Sequence, residues 1–243
     1  MPTFTLPPIL SWNTSSKSAT SPDLLARVQA LEAALFRLSR DHVAQQDFAY
    51  RYAGAHVIED LTTPTPHLTT GKDHINPAFA ALDDDTRVGR CWRIPGKTGQ
   101  LGIELIARVM ISAITVDHVP KELVFDTNHA PRDIVLWGVI DEENYGSLKA
   151  INGSAVPFPP LPHATPLIGN ISTNVVPLSK FRYNTSDPNS IQTFAVSEAV
   201  ISSGVAFSRV IVDIVNNWGS TWTCLYRIRI HGDVATTPLE FSA

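Results

Sequence analysis

Long apolar runs are absent from this sequence of 243 residues. The best candidate, at 103–116, is interrupted by Glu104 and Arg108, whereas a membrane-spanning helix needs about 20 consecutive apolar residues. The first twelve residues also lack the positive start and long apolar core of a signal peptide. We therefore expect any attachment to a membrane to come from an anchor that is absent from this sequence.

Concentrated basic charge is lacking as well. The chain has 19 Lys and Arg residues against 23 Asp and Glu, spread along its length, for a net charge of −4. Binding to nucleic acid requires a concentrated basic surface that faces the phosphates. We therefore expect no nucleic-acid partner.

Motifs of catalysis and metal binding are missing too. None of the eight histidines stands at the short spacing from another that is typical of a zinc pair, and no Gly-x-Ser-x-Gly elbow occurs. The run "GKTG" at 96–99 has Cys91 where a phosphate-binding loop needs its first glycine. The sequence therefore predicts a protein that is not an enzyme.

Short runs rich in Val, Ile and Thr are what the sequence does contain. A hydrophobic content of 44% is enough to bury a sizeable core. Because several strands occur without a βαβ rhythm, they predict an all-β fold of the β-sandwich type. Arg108 divides the second run, which we interpret as two strands. The runs lie at 54–58, 101–119, 132–141, 191–196, 207–217 and 224–233.

One helix is predicted ahead of the strands, over 21–45, after a flexible lead-in at 1–20. Its apolar residues repeat at spacings of four and three, as in a heptad. The pattern covers only about two heptads, fewer than a coiled coil needs on its own. Packing on the helix's own domain and oligomerisation through a coiled coil are both open. The repeat consists of Leu24, Val28, Leu31, Leu35 and Leu38.

Three further stretches stand out. Residues 59–87 and the proline-rich 146–180 read as loops, and long loops in compact domains are often functional. The run "LDDDTR" at 82–87 is either a solvated turn or the border of a cation site. In "NNWGSTWTCLYRIRIHGD" at 216–233, the aromatic residues suit either a sandwich core or a pocket surface.

Four blocks together resemble the SUN domain family. They are "GAHVI", "GRCWRIPGKTGQLGIELIARVMISAITVDHVPKEL", "APRDIVLWGVID" and "FSRVIVDIVNNWGSTWTCLYRIRIHGD". The resemblance implies a SUN/discoidin-like β-sandwich over 46–235, with a short N-terminal helix, a protruding lid at 59–82 and a tail at 236–243. The insertion at 146–180 has no counterpart in the family.

The resemblance also implies a function. SUN proteins sit in the inner nuclear membrane with this domain in the perinuclear space, where they bind the C-terminal tails of KASH proteins. The pair forms the LINC complex, which transmits cytoskeletal force to the nucleus. Coiled coils trimerise the family, so a homotrimer is expected here. The alternative, which also occurs in the family, is a helix that folds back and holds the domain as a monomer with its lid packed down. In the family the lid adds a strand to the bound peptide.

The resemblance also implies roles for individual residues. Cys91 and Cys224 occupy the positions of a family disulfide, and His118, His129, Trp222 and Tyr226 occupy those of the peptide pocket. Trp222 stands where the family has a tyrosine. The lid contains no cysteine, which implies non-covalent binding.

A bound ion and an alternative function complete the expectations. The family's cation loop binds a monovalent ion, K⁺, through backbone carbonyls, and its shorter equivalent here lies near Asp85 and Arg90. Because SUN domains resemble discoidin-type lectins, a glycan-binding module is the alternative function. A hydrolase is the third class, and the motif scan argues against it.

Overall fold

A computed structural model describes residues 24–32, 35, 45–65, 75–140, 156–157 and 174–235. The chain divides into two compact units, Met1–Ala44 and Gln45–Ala243. Several predicted features lie outside the described residues. These are the lead-in at 1–20, Leu38, the centre of the lid at 66–74, most of the insertion and the tail at 236–243.

The first unit contains helix α1, which spans residues 24–32, and residue 35 is also helical. The described positions of the heptad pattern carry exposed apolar side chains, at 43–69% of full exposure. They are Leu24, Val28, Leu31 and Leu35.

The second unit is built from antiparallel strands, as predicted. In the described part of the chain, one eight-stranded sheet has the order β1-β3-β8-β4-β6-β5, with β7 and β10 also paired to β3, while β2 and β9 form a separate pair. The strands are β1 (His56–Ile58), β2 (Trp92–Pro95), β3 (Gly99–Asp117), β4 (Pro131–Val139), β5 (Val156–Pro157), β6 (Asn174–Arg182), β7 (Ile191–Ala195), β8 (Phe207–Asn217), β9 (Trp222–Leu225) and β10 (Arg227–Val234). A short helix, α2 (Glu198–Ser203), and four 3₁₀ turns connect them; the turns are Arg51–Ala53, Glu59–Leu61, Ala78–Leu82 and Lys121–Leu123.

Strand β3 is a single long strand, so the prediction of two strands on either side of Arg108 was wrong. Its first part pairs with β1 and β8, and its last part pairs with β7 and β10. The register with β8 shifts between Glu104 and Val109. The polar interruption in the sequence therefore marks the place where β3 changes from one set of partner strands to the other.

Strand β6 corrects the predicted boundary of the insertion at 146–180. Its side chains Val175, Val176 and Leu178 are buried in the sheet, although the sequence around them reads as a proline-rich loop. Pro177 stands where the pairing of β6 with β4 shifts register. Such irregular positions tolerate proline, because the regular ladder bond is already lost there.

Both flanks of the predicted lid at 59–82 pack on the domain. Leu61 is buried on one flank and Leu82 on the other, so both flanks belong to the body of the domain. On the first flank, the Thr63 N–H donates to the carbonyl of Gln100 and the Gly102 N–H donates to Thr62 Oγ1. Of the predicted lid, only 66–74 lies outside the described residues.

The core lies between the layers and includes Trp92 and Phe207, both fully buried. Packing there is close enough to require glycine at one point. A Cβ added at Gly138 would stand 2.5 Å from the Phe207 ring. This tight contact fixes β4 against the beginning of β8.

Candidate functional site

A disulfide joins Cys91, which precedes β2, to Cys224 in β9. The two Cα atoms are 5.4 Å apart, and the residues are separated by 133 positions in the chain. This is the pairing that the family resemblance implied. Both cysteines are buried, and strands β2 and β9 pair alongside them with Pro95 opposite Trp222. The covalent bond therefore fixes β9 to the start of β2.

A buried asparagine shapes the turn that leads into β9. Asn217 donates its side-chain amide to the carbonyls of Ser220 and Trp222, both at 3.0 Å. Its Oδ1 accepts the N–H of Gly219 at 2.9 Å, and Gly219 has the positive φ of +123° that favours glycine. These bonds hold Trp222 in place at the beginning of the strand.

The segment before β4 runs along the other side of β9. The Cys224 N–H donates to the carbonyl of His129 at 2.8 Å, and the Ser220 N–H donates to that of Asn128. This alignment stacks the His129 ring on Trp222, with centroids 4.7 Å apart and an interplanar angle of 10°. Burial lowers the pKa of His129, and the nearby Asp126 carboxylate opposes that shift.

Tyr226 and His118 are more deeply buried than His129 and Trp222. The Tyr226 hydroxyl accepts the Gly89 N–H at 3.2 Å, and its ring meets that of His118 edge-on at 4.8 Å. His118 donates Nδ1–H to the carbonyl of Val119, and within the described residues its buried Nε2 has no partner. Burial lowers the pKa of His118 to about 4, so the ring is neutral near pH 7.

These residues surround an open cleft of about 710 Å³. Its floor contains Cys91, Cys224 and Tyr226, all nearly inaccessible to solvent. Its rim carries three exposed apolar side chains: Val88 and Leu123 are 56% and 63% exposed, and Phe125 is fully exposed. The remaining lining residues are Ile75, Asn76, Gly89, Arg93, Val124, Asp126, His129 and Trp222.

Three of the four predicted pocket residues line this cleft: His129, Trp222 and Tyr226. His118 does not: it is buried, its ring contacts Tyr226 edge-on, and it lines a separate small pocket with Tyr183. Sequence reasoning missed the apolar rim and Arg93. A phenylalanine in the polar run "KELVFDTNHA" at 121–130 was an available signal for the rim, since nothing in that run predicts a buried strand.

Side-chain hydrogen bonds hold the loop at 83–91 together. Asp85 accepts the Nε–H groups of Arg87 and Arg90, each at 2.8 Å, and hydrogen bonding from Arg87 is the largest cause that holds the pKa of Asp85 well below its usual range. Asn76 donates its side-chain amide to two carbonyls of the loop, those of Gly89 and Cys91.

The possible K⁺ site near Asp85 and Arg90 stays a prediction. The Asp85 carboxylate forms ion pairs with Arg87 and Arg90, and the Asn76 amide donates one hydrogen bond to each of the carbonyls of Gly89 and Cys91. Among the described residues, no group of three or more His, Cys, Asp or Glu side chains could hold a metal ion.

Fold and cleft together define a β-sandwich domain with a disulfide-braced surface cleft. The family model for the Sad1/UNC-like C-terminal region matches residues 71–150 and 168–234, which is more than half of the chain. The chain therefore belongs to this family, that of the SUN domains.

Curated relatives agree with this assignment. Human SUN domain-containing protein 3 is 27% identical over 235 residues, which cover 91% of this chain and 57% of that protein. Mouse SUN domain-containing protein 2 is 28% identical over 83% of this chain and 25% of its own length. The chain thus spans about half, or less, of the length of these relatives.

A solved carbohydrate-binding module of family 32, from Streptococcus pneumoniae EndoD, covers 77% of this chain at 14% identity and a TM-score of 0.48. At that level the likeness concerns the fold alone, and the glycan-binding alternative stays an untested prediction. Within the described residues, no helix is both long and apolar enough to cross a membrane.

Proposed function

We propose that this domain binds the C-terminal tails of KASH proteins in the perinuclear space of the nuclear envelope, as an adaptor between the inner and outer nuclear membranes. The observation that carries the proposal is the combination of a rigid, disulfide-braced cleft floor with an exposed apolar rim. Membership of the SUN family supports the same site. In this role the domain transmits force and performs no catalytic step.

The rim favours a macromolecular ligand. Exposing an apolar side chain to water costs roughly 25 cal/mol for each Å², and contiguous exposed apolar patches mark interaction sites. Val88, Leu123 and Phe125 border one cleft, and Phe125 buries none of its side chain within the domain. A bound peptide would cover all three, with Phe125 as the aromatic anchor.

An extended peptide suits the shape and chemistry of the cleft. Trp222 and Tyr226 share one face of the chain at alternate positions, so successive apolar residues of a tail can pack along them. Both cysteines of the chain are used in the internal disulfide. Binding is therefore non-covalent, and it depends on surface complementarity and on backbone pairing with the peptide.

Calorimetry on the full chain tests this function. Synthetic tail peptides from a panel of KASH proteins are titrated, each with its natural C-terminus and with one added residue. We expect the natural peptide to bind and the extended one to lose most of its affinity, because an added residue would displace the terminal carboxylate from its place in the cleft. Equal affinities for the two forms, or no binding by any peptide, would contradict the proposal.

The exposed heptad face of α1 supports a homotrimer as the working assembly. A helix this short is marginal in isolation, so contacts between its apolar residues on three chains would stabilise it. Light scattering on the full chain and on a version that starts at Gln46 tests this. We expect three times the monomer mass for the first and a smaller assembly for the second, and equal assemblies would show that the helix is irrelevant.

A further inference from the structure

Arg93 is a cation in the wall of the cleft, and it has no acidic partner among the described residues. Seven other arginines form ion pairs with aspartates: Arg51, Arg87, Arg90, Arg132, Arg182, Arg227 and Arg229. In the part of the chain that the structure describes, no carboxylate lies within ion-pair distance of Arg93. Its guanidinium carbon instead lies 4.3 Å from the centroid of the Trp222 ring.

The backbone fixes this arrangement. Arg93 pairs with Cys224 in the β2–β9 ladder, so its side chain projects from the same pair of strands that the disulfide braces. The indole ring covers one side of the planar guanidinium and attracts its charge. A guanidinium held flat in this way keeps its N–H edges free for an anion, and a carboxylate matches two of those N–H groups at once.

The surroundings determine which anion suits the site. The rim is apolar, so a multiply charged phosphate would be poorly solvated there, whereas one carboxylate at the end of an apolar chain would be compensated by one guanidinium. The other charge that lines the cleft, Asp126, accepts the Asn128 N–H and interacts with His129. It therefore disfavours a second acid at the His129 side and leaves Arg93 as the position for a single terminal carboxylate.

We propose that Arg93, held over Trp222, binds the terminal carboxylate of an apolar peptide in this cleft and so makes the site specific for a free C-terminus. This inference rests on the proposed function, since it assigns one end of the same ligand. It also explains why a tryptophan at position 222 is useful, because the indole ring is the best aromatic surface for a cation.

The test is a thermodynamic cycle on the full chain. The affinities of the native protein and of its Arg93 variants are measured for one KASH tail peptide in two forms, the free acid and the C-terminal amide. For the native protein, we expect the acid to bind about 10- to 100-fold more tightly, the range expected for a hydrogen bond to a charged group. In Arg93→Gln this preference should fall to within about threefold, because the acid should lose much more affinity than the amide. Arg93→Lys, which keeps the charge but loses the planar fork, should retain part of the preference.

Each other outcome contradicts the inference. If Arg93→Gln still prefers the acid as strongly as the native chain does, the carboxylate is bound elsewhere, and the proposed function stands without Arg93. If the native chain binds acid and amide equally, the site does not recognise the terminus. If neither form binds, the proposed function fails together with this inference. Thermal unfolding of both variants should match that of the native chain, which separates a binding effect from a folding defect.

Discussion

The floor and the rim of the cleft differ in almost every physical respect. The floor is buried and bonded to the body of the domain by a disulfide, a ladder and side-chain hydrogen bonds. The rim is exposed and apolar, and folding buries none of the Phe125 side chain. Changes in the floor should therefore alter stability, whereas changes in the rim should alter binding alone.

Removing the disulfide should have the largest effect. In the chain-entropy model, a bridge that closes a loop of this length stabilises the fold by about 5 kcal/mol. We expect the double variant Cys91→Ser, Cys224→Ser to lose up to that amount, since β2 and β9 would then depend on their ladder alone. Urea unfolding measures the loss, and native protein unfolded in reductant is the control.

A loss below about 1 kcal/mol would contradict this prediction. It would mean that packing of Trp92 and Leu225 holds β2 on β9 without the bridge, and the floor would then be less dependent on its covalent bond than the comparison implies.

Acid should weaken the floor through His118. Its folded pKa of about 4 lies below the ordinary value of 6.5 because the ring is buried. As the pH falls below 6.5, His118 becomes protonated in the unfolded chain, whereas in the folded chain it stays neutral until about pH 4. Stability from this group is therefore full above pH 6.5 and is lost between pH 6.5 and 4, by up to about 3 kcal/mol.

The variant His118→Phe isolates that contribution. It keeps a ring against Tyr226 but cannot titrate, so its unfolding free energy should fall less steeply between pH 6.5 and 4. The pKa values of His129 and His231 are also lowered by burial, and both variant and native protein share their contributions. Identical slopes for the two proteins would show that His118 is accessible to protons in the folded state.

The contrast between the buried floor and the exposed rim also bears on how much of the structure could be predicted from the sequence alone. Rare residues in fixed order, such as the Cys-Trp pair at 91–92 and "NWG" at 217–219, place the strands and the disulfide. Burial is harder to infer: the sequence suggests that His118 lines the cleft, yet directly after β3 it is buried with its ring edge-on to Tyr226. The alternation of apolar and polar residues in β10 does not predict that Arg229 is buried, with its Nη2 at 2.7 Å from Asp117 Oδ1.

Pro177 conceals strand β6, and Arg108 makes one long strand look like two. In both cases a local exception to strand chemistry falls at a register shift, which only tertiary pairing defines. Arg93 is likewise an ordinary strand residue in the sequence, and its place over Trp222 follows from the β2–β9 register.

On the rim, Phe125→Ser should weaken peptide binding by about 2 kcal/mol, or about 30-fold, as at an interface hot spot. Because Phe125 is fully exposed, the unfolding free energy should change by less than about 0.5 kcal/mol. Val215→Ser is the matched control, since Val215 is also exposed but does not line the cleft. An unstable Phe125→Ser, or one with native affinity, would remove the distinction between floor and rim.

The loop at 83–91 joins the two regions and should give the smallest effects. It carries Val88 on the rim, while the Gly89 N–H bonds to Tyr226 on the floor. Asn76→Ala would leave the carbonyls of Gly89 and Cys91 without their donor, at a cost of about 1 kcal/mol in unfolding free energy. Exchange of K⁺ for Na⁺ at constant ionic strength should leave native stability unchanged, because Asn76 and the Asp85 ion pairs already close the loop. A K⁺-specific rise in the melting temperature of the native protein would show that an ion contributes to this loop after all.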